Sequence, residues 1–391
     1  MVIGGDAELL MMGRADATLS APRRLLAVLL LLFGAMDGVV SAQQLALAQF
    51  ESRYYTLYTS LSQQEAQKYG RHMDQVYAEF LSRFGSFRSR RRGRQNFYIF
   101  RTRSDYNLQL AHFGIDASAS GGMFFKTPKG RGLATFIGDQ SDQRIFEVIQ
   151  HEGFHQFADN YIGDTLPVWA NEGIAEYFGQ ALIIKGKVKL GLATPQRVET
   201  IKVAVADSKA LDFDNLLNYS SLEWHANMRS ESDLGHLQYV QSWSIVHFLI
   251  HGKRGKYRKA FENYLFHISR GQKHPNAFNK AFGTNAVAAF QKGWGQFIEQ
   301  LKPDPYSTAV RRMRFLAGGA QWLNEHTGSA PTTIEALRST LQKNNFYIAY
   351  PSHAGMVKTD ASDETLYSYL VKDELRPFEL REGPEGFPPV V

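Results

Sequence analysis

Two histidines four residues apart, His151 and His155 in FEVIQHEGFHQFADNY, are followed by two glutamates four apart, Glu172 and Glu176 in LPVWANEGIAEYF. No other feature restricts the possible folds as much. On a helix, positions four apart share a face, so the two imidazoles can aim at one point. Glu152 lies about 100° round the helix from His151. It is poorly placed as a third ligand but can reach a water held there, which is the logic of H-E-x-x-H: two metal ligands and a general base. With 12 histidines in the chain, such a spacing also arises by chance, and the surroundings must decide.

The chain has no cysteine, so any metal ligand here is His, Asp or Glu. Sixteen residues separate His155 from Glu172, enough to finish one helix, turn, and bring a second back antiparallel. Glu172 is then the third ligand, and Glu176, one turn on, is placed to hold the other ring nitrogen of His151. The plain alternative is a solvated i,i+4 pair. Two like charges at that spacing repel, however, and on an apolar helix a bound cation accounts for them more economically.

The 391 residues are 44% hydrophobic and 21% charged, enough to bury a substantial core without disulfides. Near the N-terminus, Arg23 and Arg24 precede an apolar run from Leu25 to Met36 and small residues ending at Ala42. This reads as a secretory signal peptide over residues 1–42, with Met11 or Met12 as alternative starts. The run is too short to span a bilayer, so export to the periplasm, envelope or exterior is expected, with no stable membrane span after cleavage. The formal charge is +6, much of it in an arginine cluster with Arg88, Arg90, Arg91, Arg92 and Arg94. That cluster is either a solvated loop or a surface for an anionic envelope polymer. No nucleic-acid motif accompanies it.

Phe50–Ser60 reads as a strand, and Ser62–Glu65 as a capping box opening a helix that closes at Gly85. Asn96–Thr102 is a second strand, and a short helix follows Ser104. Gly121–Asp139 is a hairpin turning at Thr127–Gly132, with its second strand at Leu133–Ile137. Residues 43–140 thus form a small α/β sheet unit, and 141–302 a mostly helical unit carrying the histidines. Residues 303–391 form a helical extension with a loose tail from about Arg381.

HEGFH followed by NEGIAEYF resembles the gluzincin branch of zinc metallopeptidases, and is most similar to uncharacterised bacterial families related to the peptidase MA clan. The resemblance covers roughly residues 50–300, most strongly 148–178. It implies an α+β, zincin-like fold with Zn²⁺ held by His151, His155 and Glu172, Glu152 as base, and Glu176 supporting His151. The clan also places an oxyanion-stabilising tyrosine about 65 residues past the third ligand, at the start of an apolar helix. Tyr239 in YVQSWSIVHFL fits, with His236 as its rival and a packing aromatic as the plain alternative. The clan's aminopeptidases carry G-x-M-E-N, but GGMFFK at Gly121–Lys126 has no carboxylate, which points away from exopeptidase action. Leu133–Ile137 is then the edge on which an extended peptide pairs.

The expectation is an exported zinc hydrolase acting on peptides or proteins, an endopeptidase rather than an aminopeptidase. The alternatives are a non-catalytic scaffold for an envelope polymer, or a hydrolase of a non-peptide amide or ester.

Overall fold

A computed structural model describes residues 3–4, 45–229, 233–283, 286–328, 331–352, 355–371 and 374–378. Apart from Ile3–Gly4, the expected signal peptide lies outside these residues, as does the tail from Arg381.

The fold is α+β, with a mixed sheet first and helices after. β1 (Ile3–Gly4), β2 (Ala48–Glu51), β3 (Tyr55–Thr59), β4 (Gln95–Phe100), β5 (Gly122–Thr127) and β6 (Gly130–Phe136) form one sheet in the order β1-β5-β6-β4-β3-β2. β4 is parallel to β3 and β6, and the remaining pairs are antiparallel. α1 (Gln63–Phe84) and α2 (Arg103–His112) interleave with these strands. Then come α3 (Asp142–Tyr161), α4 (Val168–Gly179), the hairpin β7 (Leu182–Ile184) and β8 (Lys187–Lys189), α5 (Pro195–Ala206), α6 (Phe213–Asn218) and α7 (Ser221–Met228). α8 (Leu234–Gly255), kinked at Gly252–Arg254, precedes α9 (Arg258–Ser269), α10 (His274–Phe282) and α11 (Ala286–Gln300). α12 (Pro305–Thr327), α13 (Ile334–Lys343) and the hairpin of β9 (Tyr347–Ser352) and β10 (Gly355–Asp360) follow.

The capping box at Ser62 and Glu65 is present, and Ala66, Tyr69, Met73, Val76, Phe80 and Phe84 are buried along one stripe of α1. Phe80 meets Phe154, Phe157 and Phe178 at ring separations of 5.8, 5.2 and 4.7 Å. This aromatic wedge fixes α3 and α4 against α1 and leaves the histidine face of α3 to look elsewhere. The core runs without a break from Leu57, Phe97 and Leu133 of the sheet into these helices. A separate cluster of Phe315, Leu316, Leu337, Leu341 and Leu366 lies under α12 and α13.

Several sequence expectations need correction. Phe50–Ser60 is two strands, because Asp74 of α1 accepts hydrogen bonds from Ser52 Oγ and from the backbone N–H of Arg53 and Tyr54, which pins a turn there. The strand at Leu133–Ile137 is not an edge. β6 is paired on both sides, and β5 is the outer strand of its hairpin. That hairpin turns on two residues, Pro128 and Lys129, so Gly130–Gly132 belong to the strand. α4 stops at Gly179 rather than running on to Ile184. Gln150 Nε2 donates to the carbonyls of Gly179 (2.9 Å) and Ala181 (3.3 Å), satisfying groups that a helix end leaves open.

In the arginine loop, Arg90 Nη2 donates to the Ile162 carbonyl, Arg91 pairs with Asp159, and Arg94 pairs with Glu51, so these three cations fasten the loop to its own fold. Among the described residues, no helix is long and apolar enough to cross a membrane.

Burial pulls His72, His251 and His274 down to about 4. Each ring is bound in its neutral setting, to Gln150, Tyr177 and Tyr264 respectively. The unfolded chain binds these protons near pH 6.5 and the folded chain does not, so their contribution is complete above about 6.5 and declines as pH falls toward 4. Thermal melts are expected to show a Tm falling steadily between pH 6.5 and 4, with a shallower fall in His72→Gln.

Candidate metal centre

Ser141 caps α3 by accepting from the Arg144 N–H, and α4 enters through Pro167. The two helices bring His151, His155 and Glu172 together. All three are buried, with exposures of 3% each. His151 Nε2 lies 3.0 Å from His155 Nε2, and Glu172 Oε2 lies 3.4 and 3.5 Å from those nitrogens. A circle through these three atoms has a radius of about 1.9 Å, against Zn–N and Zn–O bonds of ~2.0–2.2 Å. The donor set suits a divalent cation: three atoms that can each offer a lone pair converge in a dry site. Burial pushes the Glu172 carboxyl up, but the imidazoles, His155 foremost, outweigh it and hold the group well below the usual carboxylate range.

Glu176 lies behind His151, its Oε1 3.1 Å from His151 Nδ1. A carboxylate there favours the proton on Nδ1 and the lone pair on Nε2. The other Glu176 oxygen is paired with Arg197 of α5, whose guanidinium also lies over the Trp243 ring and donates to the Glu176 carbonyl at 3.3 Å. Sequence reading missed Arg197. It sits on a helix rich in Val, Thr and Ile, with no motif around it.

Glu152 points to the other side of α3, where its Oε2 accepts the Phe124 N–H of β5 at 2.8 Å. Its carboxylate is thus anchored to the sheet's outer hairpin strand and stands outside the group of three converging atoms. His236 lines a cavity of about 440 Å³ that His151, Glu176 and Arg197 also line. Burial, reinforced by Arg197, lowers its pKa, so it is neutral at pH 7. Tyr239 is not in that lining. Its ring packs edge-on against Trp224 at 5.0 Å. Nor does it open its helix. α8 begins at Leu234, where α7 packs on the first turn and Gln238 bonds to Trp224 and Asn227.

The glycine after Glu172 has a physical cause. A Cβ on Gly173 would lie 2.5 Å from the Ser242 carbonyl oxygen, so α4 and α8 touch backbone to backbone here. A Cβ on Gly153, in HEGFH, meets only the Met73 methyl at 2.4 Å, the end of a flexible side chain. Gly173→Ala is therefore expected to cost about 2–3 kcal/mol and to displace Glu172. Gly153→Ala, with a helix-propensity gain of up to ~1 kcal/mol, is expected to be near neutral. Denaturant melts of both variants check this.

A family model described as "Protein of unknown function (DUF1570)" matches residues 145–273. Over that span the chain is similar to a family of unknown function. The span carries the histidines, both glutamates, Arg197, His236 and Tyr239, and stops short of α12. No curated protein matches the chain.

Proposed function

We propose that this chain is a zinc-dependent hydrolase of the zincin type, with peptides as its substrate class. The observation that carries the reading is the convergence of His151 Nε2, His155 Nε2 and Glu172 Oε2, with Glu152, next in the chain to His151, anchored independently by the Phe124 N–H. A purely structural metal does not need that further carboxylate.

When bound, zinc supplies Lewis acidity and lowers the pKa of water toward ~7. The chain's own residues do the rest. Glu176, steadied by Arg197, sets the tautomer of His151. The Phe124 N–H fixes Glu152, whose carboxylate takes a proton from the attacking water and passes it to the leaving nitrogen. Neutral His236, in the same cavity as His151, donates a hydrogen bond to the developing oxyanion. Export and cleavage after Ala42 complete the proposal.

The test is turnover of unfolded protein and of a mixed peptide library by the zinc-loaded chain, with and without a chelator. Metal-dependent cleavage supports the reading. Stoichiometric metal with no turnover on any substrate favours a scaffold. Within the same assay, His236→Ala is expected to lower kcat by about 10²-fold and Tyr239→Phe by less than tenfold. The reverse order would assign the oxyanion to Tyr239.

A further inference from the structure

The cavity beside the metal centre is bounded on one side by the helices that carry the site and on the other by α12 and the β9–β10 hairpin. Its polar lining is lopsided. Besides the His236 Nδ1, three side-chain N–H groups among the described lining residues are buried without an acceptor: Arg144 Nε, Gln196 Nε2 and Arg311 Nε. Buried donors left open call for an acceptor, which a ligand or a bound water supplies.

The charges agree. Arg144 and Arg314 share one carboxylate, Glu147, at 4.0 and 3.8 Å, and Glu147 is already held by Gln143 at 3.1 Å. Arg311 has its own partner, Asp363, through Nη2 at 3.1 Å, which leaves Nε turned elsewhere. The far end of the cavity therefore carries more guanidinium than carboxylate, alongside apolar lining such as Val310, Phe315 and Ile348.

We infer that this end of the cavity binds a substrate carboxylate, held by Arg144 of α3 and Arg311 of the C-terminal extension. The planar, permanently charged fork of arginine suits that group. Arg144 precedes His151 by two helical turns on one face, about 10 Å along α3. An extended chain covers that in roughly three residues. A peptide whose carboxylate sits at Arg144 thus presents a bond two or three residues away to the metal centre. This last step rests on the hydrolase reading, whereas carboxylate binding does not. The extension after residue 303 then has a defined role: it supplies one wall of the substrate site.

The experiment uses metal-free chain, so that binding is read without turnover. Three probes are titrated by calorimetry: N-acetyl-trialanine as the free acid, the same peptide as its amide, and an amidated tripeptide with glutamate at its centre. The free acid is expected to bind at least about tenfold more tightly than the amide. Arg144→Gln and Arg311→Gln are each expected to bring that ratio within about twofold, and Arg144→Lys to restore part of it. Melting curves confirm that each variant is folded, and the two sites on separate elements guard against one that is not.

If the glutamate probe matches the free acid, the site takes a side-chain carboxylate as well as a terminal one; if it matches the amide, the site requires a chain terminus. Equal binding of acid and amide by the wild type, or no binding of either at 10 mM probe, overturns the inference. So does a preference unchanged in both glutamine variants. Acid-selective binding without zinc-dependent cleavage would instead sink the hydrolase reading alone.

Discussion

Glu152→Gln is expected to lower turnover by at least 10³-fold while leaving bound zinc unchanged. The substitution keeps the shape of the side chain and an oxygen to accept the Phe124 N–H, so α3 and its outer-strand contact survive. What disappears is the ability to take and return a proton, and general acid–base catalysis contributes roughly 10²–10⁴-fold. The upper part of that range applies because Glu152 serves twice, in attack and in departure of the leaving group. Because Glu152 stands outside the converging triangle, metal content separates a lost base from a lost centre. A variant that lost both would show that Glu152 also builds the site.

The second large effect is on metal affinity. His155→Ala removes one of three protein ligands, and zinc affinity is expected to fall by more than about 100-fold, since even partners that only orient a ligand account for 10–100-fold. Arg197→Gln tests that lesser class. It leaves the three ligands in place but takes away the cation that steadies Glu176, and a loss of about tenfold is expected. Both effects read out in thermal melts as well. A ligand that binds only the folded chain stabilises it by about 2.7 kcal/mol at a hundred times its Kd. The zinc-induced rise in Tm should therefore vanish in His155→Ala and persist, at higher zinc, in Arg197→Gln.

Most of the metal triangle was legible because helical periodicity is local. His151 and His155 had to share a face, and Glu172 and Glu176 had to share another. Their meeting depended only on a return of sixteen residues. Arg197 was not legible. It reaches Glu176 from a helix whose β-branched residues give no helical signal, and only tertiary packing brings it there. The position of β5 outside β6 was hidden for a similar reason. A hairpin's sequence fixes its own pairing but not which strand joins the sheet.

Two smaller misreadings share one cause. An apolar pattern in the sequence suggests one set of element ends, whereas the molecule ends its elements where a side chain arrives to satisfy the backbone. Asp74 does so at the β2–β3 turn and Gln150 at the end of α4. The glycine of NEGIAEYF, unremarked in the sequence, turns out to be where α8 touches α4 and so fixes where Glu172 stands.

The most direct test of the metal centre is the zinc content of the purified, zinc-equilibrated chain beside His155→Ala and Glu172→Gln. One ion per wild-type chain is expected, and substantially less than one in each variant after the same dialysis. A wild type that retains no zinc, or variants that retain as much as it does, would contradict the assignment of His151, His155 and Glu172 as a metal centre.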